Sequence, residues 1–435
     1  MVTWSVIGLV VVSTVLVALL VTPPERRRGL CAALATVALV FGVSPTAPDA
    51  VQLTTQFGAI GLFGLGAVLP GGQRAGRPDM VLVFLVAFGV VGVAVGQVAY
   101  PAGTTLLLRL IATAVAGYVC CRRLGPDDRD VFLTGLVVVA LAECAIGVIE
   151  FFVTTEPVPW GAKRRDDGSA RTLVNPLLGG GAIRVSGTVG HPIPYAAVLA
   201  VALISIVSRK RRLRPWVLWV CVPALALGLL LSGSRSVFLG VAAGLLLLLW
   251  NAQSGVVVRV AAVGVATTIA VVVFSDQILT AFAYFFESGS YLNRAGSISA
   301  VPLLLERVPL EVLFGSGFGS DAELYRRGFF PQADFRVIDN QLVTTLGTTG
   351  VTGLALVLGM LIVALRRGDV HRRSMLVLWC AMSFSFDYLS WFAMLALFAM
   401  ALAWPAETTG NTGRPSRTSV LSAAGSRRRQ QLRAR

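Results

Sequence analysis

Charge is scarce in this chain. Only 14% of its residues are Asp, Glu, Lys or Arg, against about 25% in an ordinary soluble domain. Hydrophobic residues make up 55% of the sequence and the mean hydropathy is +0.77. A water-soluble fold of this length cannot hide so much apolar surface, so the solvent must be mostly lipid. Histidine occurs twice, at His191 and His371, which leaves little material for a zinc centre. The six cysteines, Cys31, Cys120, Cys121, Cys144, Cys221 and Cys380, lie in or beside apolar runs and form no C-x-x-C pair. They read as small buried hydrophobes, not as a disulfide framework or a metal site. No ATP-binding signature is present, which argues against ATP-driven transport by this chain alone. No internal repeat is visible, which disfavours inverted-repeat transporters. The net charge of +15 does not require nucleic acid, because arginines collect in cytoplasmic loops facing anionic headgroups.

What is abundant is apolar sequence in runs of bilayer length, roughly 17–25 residues each. They cover 3–22, 29–45, 56–70, 80–99, 104–121, 131–152, 190–208, 215–231, 235–251, 256–275, 340–365 and 374–404. The last is too long for one span, and Asp387-Tyr388 near its middle suggests two short helices joined outside. The expectation is an all-α polytopic integral membrane protein of about 12–13 transmembrane helices with one large extracytoplasmic loop. The first run lacks a basic n-region and does not read as a cleaved signal.

The clusters Arg26–Arg28, Arg74 with Arg77, Arg122 with Arg123, Arg209–Arg214 and Arg366–Arg373 fall on one face, which the positive-inside rule makes cytoplasmic. The chain then divides into N-terminal transmembrane helices (1–152), a first extracytoplasmic loop (153–189) and central transmembrane helices (190–275). A large extracytoplasmic loop (276–339), C-terminal transmembrane helices (340–404) and a basic, disordered cytoplasmic tail (405–435) complete it. The large loop carries an apolar stretch, Val301–Leu305, suited to a helix lying on the membrane. It is also rich in aromatics, among them Tyr284, Phe285, Tyr291, Tyr325, Phe329 and Phe335. They fit an interfacial belt or a sugar-stacking surface equally well.

Four segments at the extracytoplasmic ends of spans carry chemistry. In Ser232-Gly233-Ser234-Arg235, an arginine at an outer hairpin defies the positive-inside pattern; it faces protein, water or an anion, or it snorkels to the interface. Arg184 and His191 flank the entry to a span, where the histidine is either a structural hydrogen-bonder or a working group. The glycines of Leu313-Phe314-Gly315-Ser316-Gly317 suit a backbone nest for phosphate, or a plain turn. Asp339-Asn340 opens a span, where a carboxylate can take a proton from a hydroxyl nucleophile and either residue can cap the helix. Asp127-Asp128-Arg129-Asp130 reads as a solvated turn on the cytoplasmic side.

The order of these segments resembles a known family. Arg184…Gly187-Thr188…His191-Pro192 comes first, and Ser232-Gly233-Ser234-Arg235 follows. Then come Arg294 and Leu313-Phe314-Gly315-Ser316-Gly317, and last Asp339-Asn340-Gln341-Leu342 with Gly347, Gly350 and Gly353. Over about residues 180–365 this resembles the O-antigen ligase and polymerase (Wzy/WaaL-like) superfamily. The resemblance implies an all-helical bundle in a bacterial cytoplasmic membrane, with the active site on the extracytoplasmic face. It implies transfer of a glycan from a polyprenyl-pyrophosphate carrier to an acceptor sugar hydroxyl, with no cofactor and no metal. Fixed guanidinium groups would stabilise the pyrophosphate as its charge grows. The implied catalytic candidates are Arg235, Asp339 and His191. The implied pyrophosphate or substrate contacts are Arg184, Arg294, Ser234, Gly315, Gly317 and Asn340.

Ligases of this kind typically carry a histidine where Asp339 stands, which tilts the expectation toward a polymerase of exopolysaccharide, capsule or another envelope glycan. The alternatives are a ligase acting on a lipid or protein acceptor, a transporter or flippase of lipid-linked glycan, and a non-catalytic scaffold. The expected partners are the polyprenyl-pyrophosphate-linked glycan donor, a glycan acceptor, the lipid bilayer, and a chain-length regulator or flippase. Nucleic acid is not among them.

Overall fold

The computed structural model describes residues 13–70, 79–162, 173–178, 181–209, 213–251, 289–330 and 338–404. The expected span at 256–275, Arg74 and Arg77, and the aromatics at 284–286 and 335 lie outside the described residues, as does the basic tail.

The chain is an all-α polytopic membrane protein. After a helix over 13–21 come α1 (Arg27–Gly42), α2 (Asp49–Val68), α3 (Met80–Ala99), α4 (Pro101–Arg122) and α5 (Pro126–Ile149), which runs on through a wide turn, Glu150–Thr154. The central helices are α6 (Pro192–Ser208), α7 (Pro215–Ser232) and α8 (Arg235–Asn251). Then follow α9 (Gly289–Leu305), α10 (Pro309–Phe314), α11 (Asp321–Arg326), α12 (Gln341–Arg367), α13 (Val370–Met382) and α14 (Phe392–Ala403). Among the described residues, six helices are long and apolar enough to cross a bilayer, namely α2, α3, α4, α5 with its extension, α7 and α12. Among the described residues there is no strand beyond one isolated antiparallel bridge, Val174 to Ile183.

Proline sets many of the helix starts. It occupies the first position of α4, α5, α6, α7 and α10, where its fixed φ suits a helix and its missing N–H costs no bond. The expected spans at 104–121 and 131–152 accordingly begin several residues earlier, at Pro101 and Pro126. The stretch 374–404 divides as expected into two helices, α13 and α14, joined by residues 383–391. The apolar stretch at 301–305 is only the last turn and a half of the longer α9, which has Pro302 inside it.

Two short helices form the middle of the bundle. Every residue of α14 is buried, as are all but the last two of α6. Around them α4 packs on α14, α5 and α7 on α6, and α13 on α8. The approach of α8 to α13 depends on Gly240 and Gly244, since a Cβ at Gly244 would stand 2.8 Å from the Ser374 carbonyl oxygen. Small residues four apart let helices meet this closely in lipid, where packing replaces the hydrophobic drive.

The arginine-rich end of the bundle is held by buried polar contacts. Arg28 pairs with Asp128 at 3.5 Å, both only 2% exposed, and the Asp128 carboxylate also accepts from Gly29 N and Gly125 N. Arg209 pairs with Asp130 at 2.5 Å. The segment 127–130, expected as a solvated turn, is therefore the first turn of α5, with Asp128 and Arg129 buried and only Asp127 and part of Asp130 exposed. The preceding loop brings Asp128 against α1, where a buried cation offsets its desolvation.

Candidate functional site

At the opposite end, the C-terminus of α7 organises the site. A helix leaves its last four carbonyls without intrahelical partners, and here each is satisfied. Ser232 Oγ donates to Leu229 O at 2.6 Å, and Gly233 N donates to Leu230 O at 3.1 Å. Asn175 Nδ2 reaches Leu230 O and Leu231 O at 3.0 and 2.9 Å, and Arg184 Nε reaches Ser232 O at 2.9 Å. A guanidinium at a helix C-terminus is also favoured by the helix dipole. The backbone of Arg184 is fixed by its own N–H to Leu173 O at 2.7 Å.

The same guanidinium looks two ways. Its Nη2 donates to Ser234 Oγ at 3.0 Å, and Ser234 Oγ donates to Pro192 O at 3.2 Å. Gly233, at φ +62°, makes the sharp turn from α7 into α8, which Arg235 opens. One hydrogen-bonded junction thus ties together Arg184, Ser234 and the start of α6, with the half-buried Arg235 next to Ser234 in the chain.

His191 caps α6, its Nδ1 accepting from Ile193 N at 3.3 Å. An accepting Nδ1 belongs to the neutral tautomer with its proton on Nε2. The ring packs with Phe386, at 5.4 Å and 28°, and Trp391, at 5.6 Å, in a three-ring cluster whose two aromatics are themselves 5.5 Å apart. Both aromatics belong to the 383–391 connection, which also carries Asp387. The Asp387 Oδ2 accepts from Ser390 Oγ at 2.6 Å, while its Oδ1 is buried and the Gln341 side chain stands close to the carboxylate. Asp321 and Asp339 both lie near enough to act on it electrostatically.

The start of α12 reaches the same connection. Asn340 Oδ1 accepts from Leu342 N and Val343 N at 3.0 and 3.2 Å, so Asn340 is the cap and Asp339 is not. Gln341 N donates to Ser383 O at 2.9 Å and Gln341 Oε1 accepts from Leu389 N at 2.8 Å. Of the two cap candidates the sequence offered, the more buried Asn340 takes the role.

The glycine loop has a different use. At Gly350, with φ +67°, α12 is broken. Ser316 N and Gly317 N donate to Gly347 O and Thr348 O at 3.1 and 2.9 Å, and Gly315 N donates to Glu311 O at 2.8 Å. The buried Arg307 adds bonds to Leu346 O and Gly347 O at 2.9 and 2.8 Å and to Ser316 Oγ at 2.9 Å. The loop amides therefore bind the carbonyls freed by the break. The contact lies about 11 Å along α12 from Asn340, so Gly315 and Gly317 stand apart from the Asn340 cap. Arg294 lies on α9, and its side chain is outside the described residues.

Sequence reasoning passed over Asp387 as a mere helix break and missed Arg307, Glu143 and Glu150. The last two carried a usable signal, because carboxylates inside an apolar span are functional by default. Arg307 sits in a polar interruption and carried none. No protein-family model matches the chain, and no curated protein matches it.

Proposed function

We propose that this chain is a membrane glycosyltransferase that moves glycan from a polyprenyl-pyrophosphate carrier to an acceptor sugar hydroxyl, and that it acts as a polymerase of an envelope glycan. The observation that carries the reading is the hydrogen-bonded junction of Arg184, Ser234 and Pro192, which gathers two arginines, a histidine and nearby carboxylates at one end of the bundle. In this reading Arg184 and Arg235 take the pyrophosphate, whose negative charge grows as the glycosidic bond breaks. Asp339 or Asp387 accepts the proton of the attacking hydroxyl, and His191 orients that hydroxyl through its Nε2 proton. The site then belongs to the extracytoplasmic side of a bacterial cytoplasmic membrane, because the other end holds the arginine clusters.

A transporter or flippase of the same lipid-linked glycan is the second reading, and the break in α12 at Gly350 favours it, since broken helices mark many transport sites. Against it, the carbonyls freed by the break are taken by Arg307, Ser316 and Gly317. The test is transfer by the purified protein in lipid nanodiscs supplied with polyprenyl-pyrophosphate oligosaccharides. A ladder of added repeat units supports a polymerase, and its loss in Arg235→Ala with insertion intact places Arg235 in the machinery. A single transfer to a different acceptor makes the chain a ligase. Carrier movement across liposomes without product refutes the transferase reading.

A further inference from the structure

The segment between the two site residues Arg184 and His191 is held from inside the bundle by two acids. Glu150, 1% exposed, accepts from two successive amides, Ser186 N to Oε1 at 2.9 Å and Gly187 N to Oε2 at 2.7 Å. Glu143, fully buried, accepts from Thr188 N at 3.1 Å, and its other oxygen contacts Thr188 Oγ. Thr188 Oγ also reaches Val40 O of α1 at 3.0 Å. Among the described residues neither acid has a cationic partner.

The spacing suits this use. Residues 143 and 150 are seven apart, two turns on one face of α5, and so about 10 Å apart along its axis. The chain turns at Gly187, so the Ser186 and Gly187 amides meet Glu150 and the Thr188 amide meets Glu143. Only glycine fits at 187, where φ is +58° and a Cβ would collide with Glu143 Oε2 and the Tyr195 ring. Both oxygens of Glu150 must accept, because both face N–H groups. A glutamine there would turn an NH2 toward one of them. Burying two acids to hold three amides is a costly way to fix a loop, and this loop carries a site residue at each end.

We propose that Glu143 and Glu150 are positioning residues, which hold the backbone of 186–188 from the core of α5 and so set Arg184 and His191 for the chemistry at this end of the bundle. The assignment of that chemistry rests on the glycan-transfer reading above; the clamp itself rests only on the geometry.

The test uses the full chain in nanodiscs, with Glu150→Gln, Glu150→Asp and Thr188→Val made in the wild type and in Arg184→Lys. Hydrogen exchange of the peptide covering 184–191 is read beside the kcat/KM for transfer. Glu150→Gln is expected to speed exchange at 186–188 at least tenfold while the other helices stay protected. It should lower kcat/KM at least tenfold in the wild type but less than twofold in Arg184→Lys, because the two changes act through one group. Glu150→Asp, which keeps the carboxylate, should recover part of the loss. If Glu150→Gln does not insert, Thr188→Val and Glu150→Asp carry the same comparison. Unchanged exchange at 186–188, or equal losses in both backgrounds, overturns the proposal. A wild type that transfers no glycan overturns the transfer reading alone, and the exchange measurement still decides the clamp.

Discussion

Replacing Arg307 with methionine keeps a long apolar stem and removes the guanidinium that closes the break in α12. In the wild type that group donates to Leu304 O at 2.8 Å, Leu346 O at 2.9 Å, Gly347 O at 2.8 Å and Ser316 Oγ at 2.9 Å. Gly347 O keeps Ser316 N as a second donor, so its loss is small. Leu346 O loses its guanidinium donor. A buried carbonyl left without a donor costs about 1–3 kcal/mol, and each bond from a charged donor contributes about 1.5–3 kcal/mol. Against this, methionine relieves the burial of a cation, so a net loss of about 3 kcal/mol is the working figure. Every 1.4 kcal/mol is tenfold, so local opening of the first half of α12 should become about a hundredfold more frequent. Hydrogen exchange of the peptide covering 341–350 in nanodiscs reads this directly, with α5 and α14 as internal references. Exchange within threefold of wild type would refute the idea that Arg307 holds the break closed.

Three further outcomes follow from the same structure. Burial pushes the Asp321 carboxyl from its ordinary 3.8 up to about 6, so between those values the native state holds a proton that the unfolded chain has lost. Stability therefore falls as pH rises through that window, by up to about 3 kcal/mol. In thermal unfolding Asp321→Asn should match wild type near pH 4 and exceed it at pH 7.5, and an unchanged difference across pH would refute the assignment. Asn340→Ala removes the α12 cap and should lower stability by about 1 kcal/mol, whereas Asp339→Asn should leave unfolding unchanged and lower transfer; the reverse pattern would make Asp339 the cap. Breaking the buried Arg28–Asp128 pair with Asp128→Ala should cost about 3–5 kcal/mol, and Arg28→Met combined with Asp128→Leu should cost less than either single change. Folded yield and thermal unfolding decide between these.

Hydrophobic runs made the spans legible, and proline and acidic residues marked their boundaries. The division of 374–404 could be read from Asp387-Tyr388 because a lipid-facing helix rarely carries a carboxylate at its centre. Pairings between distant segments could not be read. Nothing local in Arg184 says that its Nε caps α7, and nothing in Asn175 says that it completes the same cap, since both depend on helices packing from far along the chain. The acidic run 127–130 misled because surface turns and buried ion pairs share one composition; only the proximity of α1 buries Asp128. Glycines 315 and 317 misled for a related reason: a loop that binds an anion and a loop that binds helix carbonyls both need amides brought close, and the sequence does not name the acceptor.

Helix length adds a last constraint on the site. At 1.5 Å per residue, the 13 residues of α13 and the 12 of α14 each span about 18–20 Å, less than the roughly 30 Å hydrocarbon thickness. Their far ends meet at the arginine-rich face, where His371 and Trp404 pack together at 5.1 Å. The connection 383–391 therefore begins about 20 Å along α13 from that face and carries Phe386, Asp387 and Trp391. His191, at the start of α6, packs on those two rings, and the 17 residues of α6 and 18 of α7 span about 25–27 Å, so the Arg184–Ser234–Pro192 junction stands at the far ends of longer helices. Under the proposed transfer, a fixed guanidinium in a site of low dielectric would act more strongly on the developing anion than one at the surface, and the acceptor hydroxyl would have to reach the Arg184–Ser234–Pro192 junction. Inserting one helical turn of alanines into both α13 and α14, to raise the connection by about 5 Å, should leave a folded bundle with transfer lost; retained transfer would show that the depth of the connection is immaterial.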